Sequence, residues 1–201
     1  MFYYISDIHF GCTNIYEKRE LSKDEEIVKK WNQKIHNDDT VYILGDIARF
    51  GTNKENEYAC SVISRLKGNK VLIIGNHDQK GLKDNRIKQL FTEIVDNKKI
   101  VDSYGGLNQK VYLSHYPIFT WDEAYSGRIL IYGHTHNNFD DVLYQESLEK
   151  LREKVKELNQ EEGIKKFKSE PYAYNVGIMK PYMNDTPMTL KEIIENVGKK
   201  G

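Results

Sequence analysis

Seven side chains of the kinds that hold divalent cations stand where apolar runs end: Asp7, His9, Asp46, Asn76, His115, His134 and His136. They lie in five short polar elements, Asp7-Ile8-His9, Gly45-Asp46, Gly75-Asn76-His77-Asp78, His115 and Gly133-His134-Thr135-His136, which hold five of the six histidines. Carboxylate, amide oxygen and imidazole together suit a divalent transition metal of intermediate character. Asp7 and His9, like His134 and His136, are two residues apart, on the same side of an extended backbone. Asp46 has two carboxylate oxygens and can bridge two ions. Two cations about 3.5 to 4 Å apart can clamp a phosphoryl group and activate a bridging water. Any one element alone reads as a turn, but independent turns have no reason to collect the histidines at successive strand ends.

The elements that must position these groups are strands with helices between them. Phe2 to Ser6 reads as a strand, followed by a loop from Asp7 to Tyr16. Ser22 and Glu25 form a capping-box pattern ahead of Ile27, Val28, Trp31 and Ile35 on one helical face, a helix that ends near His36-Asn37. There His36, the one histidine outside the elements, faces a favourable dipole. Val41 to Leu44 is a second strand and Val71 to Ile74 a third. Between them Ala59, Val62, Ile63 and Leu66 fall at helical spacing, with Gly68 as the stop. Glu93 to Ser103 and Val111 to Leu113 read as antiparallel strands about the turn Gly105-Gly106-Leu107-Asn108. Arg128 to Tyr132 is another buried strand, Tyr172-Ala173-Tyr174 precedes Asn175-Val176-Gly177, and Thr189 with Glu192 caps a last helix. The pattern predicts an α/β fold of two sheets flanked by helices. Between 141 and 168, Leu148, Leu151, Val155 and Leu158 form a narrow stripe on a charged helix. It reads as an insertion packed on the body or as an oligomer contact, bordering the substrate cleft.

The 201 residues suit one domain spanning 1–201, with that insertion. Thirty basic and thirty acidic side chains balance, which gives no field for nucleic acid or an acidic membrane. With no basic stripe, the chain is not expected to grip duplex nucleic acid. Two cysteines, Cys12 and Cys60, are too few for a disulfide framework. No apolar run approaches the roughly 18 residues that span a bilayer, and no leader pattern opens the chain, so a cytoplasmic location is expected.

The ordered elements resemble those of the calcineurin-like metallophosphoesterase superfamily, from residue 7 to the Asn175-Val176-Gly177 loop. Ile5-Ser6-Asp7-Ile8-His9-Phe10-Gly11 is similar to short stand-alone bacterial and phage members. The resemblance implies a four-layer α/β/β/α sandwich of two mixed sheets. It implies that Asp7, His9, Asp46 and His136 bind one metal and Asp46, Asn76, His115 and His134 the other, the metals being manganese, iron, zinc or nickel. His77 is implied as the catalytic histidine, oriented by Asp78. The expected activity is hydrolysis of phosphate mono- or diesters of a small substrate, nucleotides included, by metal-activated hydroxide. The alternative is a scaffold that keeps the fold for partner binding. Where protein phosphatases carry Gly-Asp-x-x-Asp-Arg-Gly, this chain reads Gly45-Asp46-Ile47-Ala48-Arg49-Phe50-Gly51, which leaves Arg49 as a phosphate contact or a surface residue. Cys12 stands where similar members have histidine, so no further ligand is expected there. Tyr16, Tyr116 and Tyr125 are candidates to stack on a base or sugar, or simply core and rim residues.

Overall fold

A computed structural model describes residues 1–12, 21–161 and 166–198. The predicted Tyr16 and part of the loop before it lie outside them, as does a short piece of the 141–168 segment. The strands are β1 (Phe2–Ile5), β2 (Thr40–Ile43), β3 (Asn69–Ile73), β4 (Glu93–Val95), β5 (Asn97–Tyr104), β6 (Leu107–Ser114), β7 (Ile129–Tyr132) and β8 (Ala173–Asn175). The helices are α1 (Leu21–Lys34), α2 (Asn53–Ile63), the single turns α3 (Asp78–Gly81) and α4 (Asn85–Lys88), α5 (Phe139–Glu161) and α6 (Leu190–Gly198). They form two four-stranded sheets, ordered β1-β2-β3-β4 and β5-β6-β7-β8. With helices outside, this is the expected sandwich.

The four strands of the first sheet all run parallel, where a mixed sheet was expected; its antiparallel component is one bridge between Tyr4 and Met188. The second sheet is mixed, with β5 antiparallel to β6 and the pairs β6–β7 and β7–β8 parallel. The run from Glu93 to Ser103 is two strands rather than one. β4 pairs with β3 and β5 with β6, so Asp96 hands the chain from one sheet to the other. The turn-forming pair Asp96-Asn97 stands at the junction, but the strand-like residues on either side read through it. The hairpin turn contracts to Gly105-Gly106, both at positive φ as a two-residue turn requires, while Leu107 and Asn108 join β6.

Side-chain alternation sorts the core. On β7, Ile129 and Ile131 enter the main core, whereas Leu130 and Tyr132 join a second cluster with Leu148 of α5. The helix of the 141–168 segment packs on the body: Leu148 and Val155 are buried, and α5 lies over the second sheet. α1 is already helical at Leu21, so Ser22 lies inside its first turn instead of capping it. Two capping boxes do occur, Thr52 with Glu55 on α2 and Thr189 with Glu192 before α6. No described helix is long and apolar enough to cross a membrane.

Candidate metal centre

Parallel strands deliver the polar elements to one edge. β1, β2 and β3 lead into residues 6–9, 44–46 and 74–78, and β6, β7 and β8 into His115, residues 133–136 and residues 176–177. The two sheets meet there: Ser6 N–H donates to Val176 O and Ile178 N–H to Ser6 O, each at 2.9 Å. In such sheets ligands bind beyond the carboxyl ends of the strands.

The backbone at this edge is strained in one consistent way. Asp7, His9, Asp46, His134 and His136 have φ of 55°, 51°, 55°, 70° and 51°. A left-handed non-glycine residue costs on the order of 1 kcal/mol or more, and it persists only where surrounding contacts over-determine it. Those contacts are present. Asp7 N–H donates to Gly45 O at 3.1 Å, His9 N–H to Asp46 O at 2.9 Å, and His134 N–H to Asp7 Oδ2 at 3.0 Å. Two glycines make the approach possible. A Cβ on Gly45 would strike the His115 ring, and one on Gly133 would strike the Ser6 side chain and Asp7 Oδ2.

All seven residues singled out in the sequence come together. One ligand atom each from Asp7, His9, Asp46 and His136 lie within 4.8 Å of one another, and so do those from Asp46, His115 and His134. Asn76 joins the second group, its Oδ1 3.1 Å from His115 Nε2. Asp46 is common to both. Its Oδ2 stands 3.8 Å from His9 Nε2, 3.7 Å from His115 Nε2 and 3.9 Å from His77 Nε2.

Three observations fit these groups to cations. First, His9 and His136 point their Nε2 atoms at each other across 3.4 Å. Bonds of about 2.0–2.2 Å to one cation put its ligand atoms about 3 to 3.5 Å apart. Second, His115 Nδ1 lies 2.7 Å from Leu44 O. A carbonyl only accepts, so Nδ1 carries the proton and the Nε2 lone pair faces Asn76 and Asp46. Third, Asp7 and Asp46 are buried, and among the described residues neither has a lysine or arginine partner. Burial raises the Asp7 carboxyl above the ordinary range, and the Asp46 charge raises it further. Burial also raises Asp46 and lowers His115, His134 and His136, so the imidazoles favour the neutral form that binds metal.

Asp78 departs from expectation. Its two oxygens accept from Gly75 N–H at 2.8 Å, Asp46 N–H at 2.9 Å and Ile47 N–H at 3.1 Å. It ties the β2 and β3 turns together instead of orienting the His77 imidazole; the carboxylate beside that ring is Asp46. His77 is anchored through its backbone N–H to Asp46 Oδ1 at 2.9 Å, and its ring is exposed on the open side of the cluster, edge-on to His9. Arg49 pairs with Glu55 Oε1 at 2.6 Å, while half-buried Cys12 donates its N–H to His9 O. Tyr125 packs on Phe167, and Tyr116 lies edge-on to His115 and His134.

Sequence reasoning missed Asp141, in the first turn of α5. It accepts from Tyr132 Oη at 2.8 Å, Thr135 Oγ1 at 2.9 Å, Asn175 Nδ2 at 2.7 Å and Lys180 Nζ at 2.5 Å. Asn175 also donates to His136 O at 3.0 Å, so this network braces the turn carrying His134 and His136. An acidic residue in a first helical turn is too common a pattern to have signalled it. Met179, with Sδ 3.2 Å from His136 Nδ1, had no signal at all.

A family model for calcineurin-like phosphoesterases matches residues 1–170. The chain is 34% identical over 160 residues to the gene 66 protein of Mycobacterium phage L5, covering 67% of this chain and 77% of the relative. The gene 66 protein of Mycobacterium phage D29 is 31% identical over 156 residues, covering 67% and 78%. Among solved structures, a protein of unknown function from Aquifex aeolicus superposes with a TM-score of 0.63 at 24% identity, over 100% of this chain and 99% of that one, a likeness of fold.

Proposed function

The chain belongs to the calcineurin-like phosphoesterase family, and from that premise we propose that it hydrolyses phosphate esters of a small substrate at a centre of two divalent cations. Asp7, His9, Asp46 and His136 would hold one cation and Asp46, Asn76, His115 and His134 the other. The observation that carries the reading is the pair of ligand groups sharing Asp46. Manganese, iron, zinc or nickel would suit the mixed oxygen and nitrogen donors. Bound there, two such ions would supply Lewis acidity toward phosphoryl oxygens and lower the pKa of water.

The protein's own groups have separable tasks. Asp46, common to both ligand groups, would hold both ions. Asp78 keeps that carboxylate in place through the backbone of the β2 turn. His77 reaches over the open face with Nε2 3.9 Å from Asp46 Oδ2. From there a ring N–H would give a proton to the departing ester oxygen as the bond of that oxygen to phosphorus breaks. His77→Ala is expected to lower turnover by about 10²-fold or more while metal content is retained. Metal analysis of the purified variant checks this, and loss of metal would remove His77 from the proton role.

The deciding experiment strips the protein of metal, reloads it with manganese, zinc, nickel or iron, and follows bis(p-nitrophenyl) phosphate and p-nitrophenyl phosphate. Metal-dependent turnover that falls in Asp46→Asn supports the reading, and the preferred ester sorts phosphodiesterase from phosphatase. Binding of two ions without turnover of either ester would favour a scaffold.

A further inference from the structure

Exposed apolar surface is unevenly placed on this protein. Of nine large hydrophobic side chains exposed among the described residues, five (Tyr116, Phe119, Phe139, Val142 and Leu143) lie on the two segments that leave the metal centre after His115 and His136. Exposed hydrophobics scattered singly are ordinary, whereas a concentration beside a cleft marks a binding surface. The two segments are tied to each other, with Tyr144 Oη donating to Ile118 O at 2.7 Å.

Tyr116 joins this wall to the centre. Its ring centroid lies 4.9 Å from that of His115 and 4.7 Å from that of His134, edge-on to both, yet the residue is 46% exposed. Its backbone is held on both sides, by an N–H bond to Ser114 Oγ at 3.2 Å and by Pro117, whose ring limits the chain. A fixed ring with an open face loses little freedom on binding.

We propose that Tyr116, with the exposed Phe119 and Phe139 on the same two segments, forms a subsite for a planar ring carried by a substrate whose phosphate group sits at the metal centre. The inference rests on the phosphoesterase reading and adds the substrate class to it.

Binding tests it without turnover. With manganese-loaded protein, dissociation constants are measured for phenylphosphonate against methylphosphonate and for the hydrolysis-resistant 5′-methylenephosphonate of adenosine against that of ribose. The ring-bearing member of at least one pair should bind about tenfold tighter, and Tyr116→Ala should collapse that ratio toward one while Tyr116→Phe keeps it. Dependence in the nucleotide pair alone assigns the ring to a nucleobase, and in the phosphonate pair alone to an aryl group. Phe139→Ser, at an exposed position that costs the fold little, should reduce the same ratio about two- to threefold. A ratio near one in both pairs, or a ratio that Tyr116→Ala leaves unchanged, overturns the subsite even if metal-dependent hydrolysis is intact. Dimerisation abolished by Phe139→Ser with the ratio untouched would likewise overturn it, making the wall a contact between copies. Failure of all four ligands to bind, together with absent turnover, removes the phosphoesterase reading and this subsite with it.

Discussion

Asp141 and the pair Asp7 and Asp46 are all buried, at 3%, 0% and 1% exposure, yet their surroundings are opposite in kind. Burial pushes the Asp141 carboxyl up, but bonds from Lys180, Asn175 and Tyr132 outweigh it and hold the group below its ordinary range. Around Asp7 and Asp46 burial prevails, and each carboxyl is pushed up instead. One cluster is complete with its own cation, while the other gathers carboxylates and imidazole lone pairs and, among the described residues, receives no lysine or arginine. The difference teaches where a cation from outside is needed, since a buried charge without a partner is costly. The two clusters also touch, because Asn175 bonds both Asp141 and the His136 carbonyl.

Substitution at the two acids should break or sharpen this contrast. The largest effect is expected of Asp46→Asn on activity. Losing a mere outer partner of a metal ligand costs about 10- to 100-fold, so removing the carboxylate that both ligand groups would share should cost more than about 100-fold in metal-dependent turnover. The same change in metal-free protein should leave stability unchanged or raise it, because it removes a charge that the fold holds unfavourably. A chemical denaturation midpoint that falls sharply would mean that Asp46 is a structural acid like Asp141.

Asp141→Ala should do the reverse in the metal-free state. It strands the Lys180 ammonium, which is 15% exposed, and should cost about 3–5 kcal/mol by chemical denaturation. Equal midpoints for variant and wild type would erase the contrast. The pH dependence follows from the depressed carboxyl. Asp141 binds fewer protons folded than unfolded below its ordinary value of 3.8, so its contribution is complete above that pH and is lost as pH falls through the lower folded value. The stability gap between wild type and Asp141→Asn should therefore be flat near neutrality and narrow at pH below about 3.8. A gap that widens on acidification would reverse the assigned sign.

The smallest effect is expected at Arg49. Its bond to Glu55 is on the surface, with 48% of the arginine side chain exposed, so Arg49→Gln should change stability by less than about 1 kcal/mol. A large loss of turnover with stability intact would bring Arg49 back as a phosphate contact.

The sequence by itself determined most of the strands, the order of the polar elements and the seven side chains they carry. These follow from local rules: alternation, runs of β-branched and aromatic residues, and glycines that admit close or left-handed backbone before Asp46 and His134. Tertiary structure decided the rest, because each remaining feature depends on groups far apart in the chain. Asp96 divides one apparent strand only because β3 and β6 offer edges on different sheets. The stripe on α5 is a layer because Leu130, Tyr132 and Ala173 lie beneath it. Asp78 serves three backbone amides instead of its neighbour's imidazole, since those amides converge on it from two turns. Asp141 and Asp46 are the same residue type in sequence. What separates them is Lys180, brought beside one and not the other, and a short-range charge interaction in a buried site is set by such neighbours.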